Sequence, residues 1–213
     1  METLHSINLI IHISFGLAAM GLGVVALRAP KKRGPHTRFG RYFLYAISVV
    51  LETGLMGAIL FRASPFLVML TLLAGYVSYA GWRIVRLREK RSSTRDVACA
   101  LLAFTSGLFF LGIAKTSDAS WNPSVIYSTF GALSLVTTYD LVKHYWLHES
   151  LKGGWLYEHI YKMLSAFSAL LSAFAGNVLP QCQPYSQLGP SILGMVMMIW
   201  YMRQVTRSQG KPV

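Results

Sequence analysis

Long stretches without a charged residue alternate along this chain with short basic clusters. Asp, Glu, Lys and Arg are absent from residues 3–27, 63–82, 97–114, 119–139 and 163–202, and residues 42–61 contain only Glu52. A run of about 20 apolar residues is long enough to cross the hydrocarbon core of a bilayer as a helix. The last charge-free stretch is much longer and is interrupted by Pro180, Pro184 and Pro190, so it accommodates two spans.

The pattern therefore predicts an all-α, polytopic membrane bundle with seven transmembrane helices. We place the spans at about residues 4–27, 41–61, 65–85, 97–114, 121–142, 155–179 and 185–202. The segments between them are too short to fold as separate units. Residues 1–213 are thus expected to form a single transmembrane domain.

The basic residues predict the orientation of this bundle. Of the 20 Lys and Arg residues, 18 fall on the same side of the seven-span topology, and the exceptions are Arg62 and Lys115. Cytoplasmic loops of membrane proteins are enriched in Lys and Arg. We therefore expect the N-terminus outside and the C-terminus in the cytoplasm, in the cytoplasmic (inner) membrane of a bacterium.

Composition narrows the class of partner. The chain is 54% hydrophobic and 13% charged, yet its formal net charge is +12. These values argue against a soluble enzyme, a disulfide scaffold or a disordered tail. Because the cations flank helix ends, we expect them to contact anionic lipid headgroups on the cytoplasmic side, and we expect no nucleic-acid partner. This basic rim comprises Arg28, Lys31, Lys32, Arg33, Arg38, Arg41, Arg86, Arg88, Lys90 and Arg91.

Two ionisable residues fall clearly inside the predicted spans. His12 lies about 12 Å from the outer end of the first span, and Glu52 lies about 14 Å from the outer end of the second. An ionisable group within a membrane is costly unless it faces a partner or a cavity. The matching depths predict an intramembrane His12–Glu52 pair, which would relay a proton, bind a polar group or simply join two packed helices by a hydrogen bond.

A second polar cluster lies at the cytoplasmic end of the fifth span. Asp140, His144 and His148 follow one another at four-residue intervals and would share a face if the span continues as a helix. One carboxylate and two imidazoles are suitable ligands for a divalent metal ion. The spacing predicts a candidate metal site, and the alternative is that these histidines bond only to lipid or to loops.

Histidines near the cytoplasmic side suggest a different cofactor. His36, His144 and His159 lie at similar depth on different predicted spans. Histidine is a common axial ligand of haem iron. The sequence therefore provides for one b-type haem at this side, with His36, His159 and His144 as candidate ligands.

Three short motifs resemble those of an uncharacterised family of small bacterial membrane proteins, a domain of unknown function. They are His12-Ile13 with Gly16, His36-x-Arg38-x-Gly40-Arg41, and Trp155 followed by His159-Ile160 and Met163. The chain departs from that pattern at Thr37, where the family usually has Arg. The resemblance implies a multi-helix inner-membrane protein whose recurring histidines are His12, His36 and His159. It implies no particular activity, and it gives less weight to His144 and His148.

Three functions remain open at this point. The first is a histidine-dependent role at the cytoplasmic side of the bundle, in which the chain binds haem or a metal or takes part in redox chemistry. The second is transport of a small molecule or a proton through His12 and Glu52, and the third is a non-catalytic structural subunit. The residues identify no reaction, so they leave open whether the chain is an enzyme.

Overall fold

A computed structural model describes residues 2–31, 34–61, 65–117 and 122–209, and every regular element in this part of the chain is helical. The helices are α1 (Glu2–Arg28), α2 (Pro35–Leu60), α3 (Pro65–Leu87), α4 (Thr94–Ser117), α5 (Pro123–Val142), α6 (His148–Leu151), α7 (Trp155–Val178) and α8 (Tyr185–Gln209). A π-helical turn at Lys143–Leu147 links α5 to α6, and 3-10 turns occur at Lys152–Gly154 and Pro180–Cys182. Trp121, where the fifth predicted span begins, lies outside the described residues.

Five segments of the described chain are long and apolar enough to cross a membrane. They are Glu2–Arg28, Pro35–Leu60, Leu67–Leu87, Thr94–Ile113 and Pro123–Val178. The fifth is a helical stretch of 56 residues that contains both α5 and α7, and α8 is not among the five. The prediction of an all-α protein with several membrane spans is confirmed, whereas the number of seven spans and their orientation remain predictions.

Two ion pairs join the region where α5 ends to the first turns of α7. Asp140 of α5 pairs with Lys162 of α7, and Lys143, which follows α5, pairs with Glu158 of α7. As the residue number rises from Asp140 to Lys143, the number of the partner on α7 falls from Lys162 to Glu158. This order is expected where two chain segments run in opposite directions. The direction of the chain therefore reverses within residues 143–154.

Helix α3 lies at the centre of the packing. It contacts α2, α4, α5 and α7. In its most apolar part 56% of the residues are buried, compared with 17% in the most apolar part of α1. The core around it contains Phe43, Ile47, Val77, Leu133, Val136, Ala166 and Leu170. Because α3 separates α2 from α5, side chains on its two faces line two different parts of the molecule.

Local signals account for several helix boundaries. Ser93 and Asp96 form a capping box at the start of α4, in which Asp96 Oδ2 accepts hydrogen bonds from Ser93 N at 2.7 Å and Ser93 Oγ at 2.8 Å. At the start of α5, Asn122 Oδ1 accepts from Ser124 N at 2.9 Å, and Pro123 occupies the first helical turn. These caps satisfy backbone groups that a lipid environment would leave unpaired.

Candidate cofactor site beside helix α3

Two of the predicted ligands, His36 and His159, lie next to each other. His36 is near the start of α2 and His159 is near the start of α7. Their ring centres are 6.4 Å apart and the ring planes are nearly perpendicular, at 89°. Both side chains are half-buried. The fold therefore brings together two histidines that are far apart in sequence.

Backbone carbonyls fix the tautomer of both rings. His36 Nδ1 donates to Ala26 O of α1 at 2.9 Å. His159 Nδ1 donates to Gly81 O of α3, also at 2.9 Å. Because a carbonyl oxygen can only accept, the hydrogen must be on Nδ1, and Nε2 of each neutral ring keeps its lone pair. Metal-ligating histidines are commonly oriented by this type of bond from the second ring nitrogen.

The distance between the two rings suits a shared metal ion. A metal–imidazole bond is about 2 Å long, and the ring centre lies about 1 Å beyond the nitrogen, so two ligands on opposite sides of one metal have ring centres about 6 Å apart. The observed 6.4 Å matches this value. His36 and His159 are thus spaced as a pair of axial ligands would be.

An open cavity of about 760 Å³ lies beside the histidine pair, bordered by α1, α2, α3 and α7, and some of its lining side chains, such as Tyr45 and Trp82, are exposed. Its volume is within the range of about 300–1,000 Å³ that is typical of small-molecule and cofactor sites. Both histidines line it, together with apolar and aromatic side chains that include Phe43, Trp82 and Phe167. The cavity can therefore accommodate a large and mostly apolar ligand.

The cavity carries positive charge without a carboxylate to balance it. Arg41 of α2 and Arg86 of α3 line its wall, and the described residues that line it include no Asp or Glu. The Arg86 guanidinium lies 4.1 Å from the centre of the Trp82 ring, a cation–π contact that holds it at the wall. Nearby, Lys31 Nζ donates to Leu27 O at 2.6 Å at the end of α1, and burial lowers the pKa of its amine.

His12 and Glu52 are not each other's partners in the structure. His12 Nδ1 lies 2.9 Å from Thr53 Oγ1, on the neighbouring residue of α2. Glu52 itself is exposed on the outer surface of the bundle, about 100° around the helix from Thr53. His12 thus contacts the residue next to Glu52 and not Glu52 itself, because a depth argument does not fix rotation about the helix axis.

The predicted metal ligands Asp140, His144 and His148 line one small cavity but are not grouped so that they could hold a metal ion together. Asp140 accepts hydrogen bonds from Tyr76 and Lys162 at 2.7 and 2.6 Å. His144 Nδ1 bonds to Ser92 Oγ at 2.7 Å, on the side of α3 away from the cavity, so it is not a ligand candidate beside His36 either. Across the described residues, no group of three or more His, Cys, Asp or Glu side chains is placed to hold a metal ion.

A π-helical turn interrupts the helix between Asp140 and His148. Four-residue spacing places side chains on one face while the helix has about 3.6 residues per turn. At Lys143–Leu147 the helix adopts the wider π form, which takes more residues per turn. His148 still lines the same small cavity as Asp140, and its Nε2 lies 3.9 Å from Glu149 Oε1.

Sequence reasoning missed a buried cluster of four charges between α5 and α7. Lys162 Nζ donates to Asp140 at 2.6 Å and lies 3.6 Å from Glu158, which also accepts from Lys143. Lys162 and Glu158 are buried, as is Lys143. The available signal was the placement of opposite charges three and four residues apart, at Asp140/Lys143 and Glu158/Lys162. Both lysines were instead counted with the cytoplasmic basic residues.

The described members of the basic rim are exposed at helix ends, and several lie over aromatic rings. Arg38 lies 5.7 Å from the Tyr42 ring centre, and Arg88 lies at the same distance from the Trp155 ring centre. Lys32 and Arg33 fall outside the described residues. The exposed described members are Arg28, Lys31, Arg38, Arg41, Arg86, Arg88, Lys90 and Arg91.

Comparison with known proteins found no matching family model, no matching curated protein and no matching solved structure.

Proposed function

We propose that this chain is a membrane protein that binds one b-type haem between His36 and His159 and takes part in electron transfer. The observation that carries the proposal is the histidine pair itself. Both Nδ1 atoms are bonded to backbone carbonyls, both Nε2 lone pairs are available, and the rings are 6.4 Å apart on the wall of a large cavity. An axial histidine on each face of the haem would leave no open iron position for a substrate, which favours electron transfer over oxygen chemistry.

A divalent metal ion without a porphyrin fits the site less well. Protein sites for such ions usually provide three or four side-chain ligands. The described residues contain no group of three or more suitable ligands, whereas a haem needs only two axial ligands from the protein. The two-histidine site therefore favours haem.

We further propose seven spans, with the N-terminus outside and the C-terminus in the cytoplasm of a bacterial-type cell. The hairpin between α5 and α7 supports two crossings within Pro123–Val178, and α8 is long enough to provide another. The exposed cations at the ends of α1 and α3 and at the start of α2 support the cytoplasmic assignment. In this topology His36 and His159 lie at the cytoplasmic side.

The alternative of transport through His12 and Glu52 has less support. His12 is engaged by Thr53, and Glu52 faces the outside of the bundle. Those two residues therefore do not form a shared site between the helices. A purely structural subunit would not need a cavity of this size beside two preoriented histidines.

The absorption spectrum of the detergent-purified protein tests the proposal. Expressed with an adequate haem supply, the protein is expected to show a Soret band and the sharp visible bands of a six-coordinate haem on reduction. His36→Ala and His159→Ala are each expected to abolish the six-coordinate spectrum, because each removes one axial ligand.

His144→Ala provides the matched control. His144 is a half-buried histidine near the same end of the bundle, but it bonds to Ser92 and does not line the cavity. Its variant should keep the wild-type spectrum. Absence of haem from wild-type protein purified from haem-replete cells, or an unchanged spectrum in both ligand variants, would refute the proposal.

A further inference from the structure

The two arginines of the cavity point to the chemistry of the ligand. We infer that Arg41 and Arg86 together bind two carboxylates of the molecule that fills the cavity, and so orient it. This inference rests on the proposed function and identifies the acidic edge of the haem, its two propionates, as the part that the arginines hold. The ligand class is therefore a flat, largely apolar molecule with two acid groups on one side.

The two cavity arginines have no carboxylate partner among the ion pairs of the described residues. Lys143 and Lys162 pair with Glu158 and Asp140, and Arg83 pairs with Asp96 at 2.7 Å. Among the ion pairs of the described residues, none involves a cation that lines the histidine cavity. Both guanidinium groups are exposed, so an anionic group of a ligand in the cavity can reach them. Acid groups on that ligand would supply the negative charge that the cavity wall lacks.

The two arginines lie at the same level on facing walls. Helices α2 and α3 are consecutive and joined by a short segment, so they run in opposite directions. They approach where a Cβ on Gly75 would lie 3.6 Å from Leu51 Cδ1. Counting from this approach, Arg41 is about 15 Å and Arg86 about 16 Å towards the same end, at 1.5 Å per residue. One ligand edge can therefore meet both guanidinium groups.

Arginine is suited to this role by its shape. Its planar guanidinium offers parallel N–H donors that match the two oxygens of a carboxylate. Stacking of Arg86 on Trp82, at 4.1 Å, restricts the guanidinium while leaving its edge donors available. The histidines would hold the metal, and the arginines would determine which way the ring is turned in its plane.

Binding of haem and of its dimethyl ester separates this inference from the alternatives. Haem-free protein in detergent is titrated with each porphyrin, and the spectrum reports affinity and ligation. Wild type is expected to bind haem at least tenfold more tightly than the ester, which lacks both negative charges. The double variant Arg41→Gln/Arg86→Gln should bind both porphyrins equally while keeping the six-coordinate spectrum.

Arg38→Gln is the matched control, because Arg38 is an exposed arginine of α2 that contacts Tyr42 and does not line the cavity. It should keep the wild-type preference for haem. Equal binding of the two porphyrins by wild type, or a preference retained by the double variant, would overturn the inference while leaving haem binding intact. Loss of co-purifying phosphatidylglycerol from the double variant with an unchanged porphyrin preference would assign the arginines to lipid and also overturn it. Failure of wild type to bind either porphyrin would refute the proposed function and this inference together.

Discussion

The Thr53 hydroxyl links helix α2 to helix α1. Thr53 Oγ1 donates to Val49 O at 2.7 Å within its own helix, so it accepts from His12 Nδ1. Asn8 Nδ2 also donates to Thr53 O, at 3.1 Å. A hydrogen bond between helices in a membrane contributes on average about 0.6 kcal/mol and at most about 2 kcal/mol. We therefore expect His12 to contribute to the packing of α1 against α2.

His12→Ala is accordingly expected to lower the thermal stability of the detergent-solubilised protein by a few degrees and to leave its visible spectrum unchanged. Thr53→Val should have a similar effect, and the double variant should be little worse than either single one because both remove the same bond. Thermal unfolding followed by circular dichroism provides the measurement.

Glu52→Gln serves as the comparison for this prediction. Glu52 is exposed and has no partner among the ion pairs of the described residues, so its variant should unfold at the wild-type temperature. A coupling of 1 kcal/mol or more between His12 and Glu52 in a double-variant cycle, on the order expected of a direct contact, would show that the two side chains interact.

At the scale of elements, the charge cluster between α5 and α7 fixes the register of their hairpin. It places two cations and two carboxylates in alternation, so the buried group carries no net charge when all four are ionised. Tyr76 of α3 donates a further hydrogen bond to Asp140 at 2.7 Å. The cluster thereby connects three helices, and sliding α7 by one turn would leave buried charges without partners.

Removing one member should therefore destabilise the hairpin strongly. Lys162→Met leaves Asp140 and Glu158 without their shared cation, and loss of one partner of a buried ion pair costs about 3–5 kcal/mol. We expect a large fall in unfolding temperature, and partial recovery in Lys162→Met/Asp140→Asn because the unpaired carboxylate is also removed. Differential scanning of the purified protein measures both.

Lys152→Met is the control for this prediction. Lys152 pairs with Glu149 at 2.7 Å, but both are exposed in the turn between α5 and α7. Exposed ion pairs contribute about 0–1 kcal/mol, so its effect should be small. Equal destabilisation by Lys152→Met and Lys162→Met would mean that burial of the cluster is not what stabilises the hairpin.

Helix positions were predictable from the sequence because apolar length and proline breaks are local signals. The predicted spans at residues 41–61 and 65–85 correspond to α2 (Pro35–Leu60) and α3 (Pro65–Leu87), with differences of a few residues at the ends. The π-helical turn at Lys143–Leu147 was not predictable in this way, since no proline or break in the apolar pattern marks it.

The candidate site was predictable only in part. The similar depths of His36 and His159 follow from their positions near helix ends, and similar depth is sufficient to predict both as candidate haem ligands. Their contact depends on which helices are neighbours, because each ring is held by a carbonyl from a third helix, at Ala26 or Gly81. The cavity likewise depends on how α1, α2, α3 and α7 pack together, which no local pattern encodes.

At the scale of the whole molecule, the residues behind the net charge of +12 and the proposed site lie towards the same end of the bundle. Exposed Lys and Arg residues mark one end of the bundle, and the histidine pair lies close to that end. In the proposed topology, the proposed haem would exchange electrons with a partner on the cytoplasmic side. The side of the membrane is thus the property on which the cellular role depends.

Cys182 can be labelled to determine which side of the membrane the turn between α7 and α8 faces. It is an exposed free thiol in the turn between α7 and α8, whereas Cys99 is half-buried in α4. With the N-terminus outside and seven spans, the turn at Pro180–Cys182 faces outwards. A membrane-impermeant maleimide should therefore label the Cys99→Ser variant in intact spheroplasts, and Cys182→Ser should lose that labelling. Labelling that requires lysis would place the turn in the cytoplasm and His36 and His159 at the outer side, because His159 lies near the opposite end of α7 and His36 lies beside it.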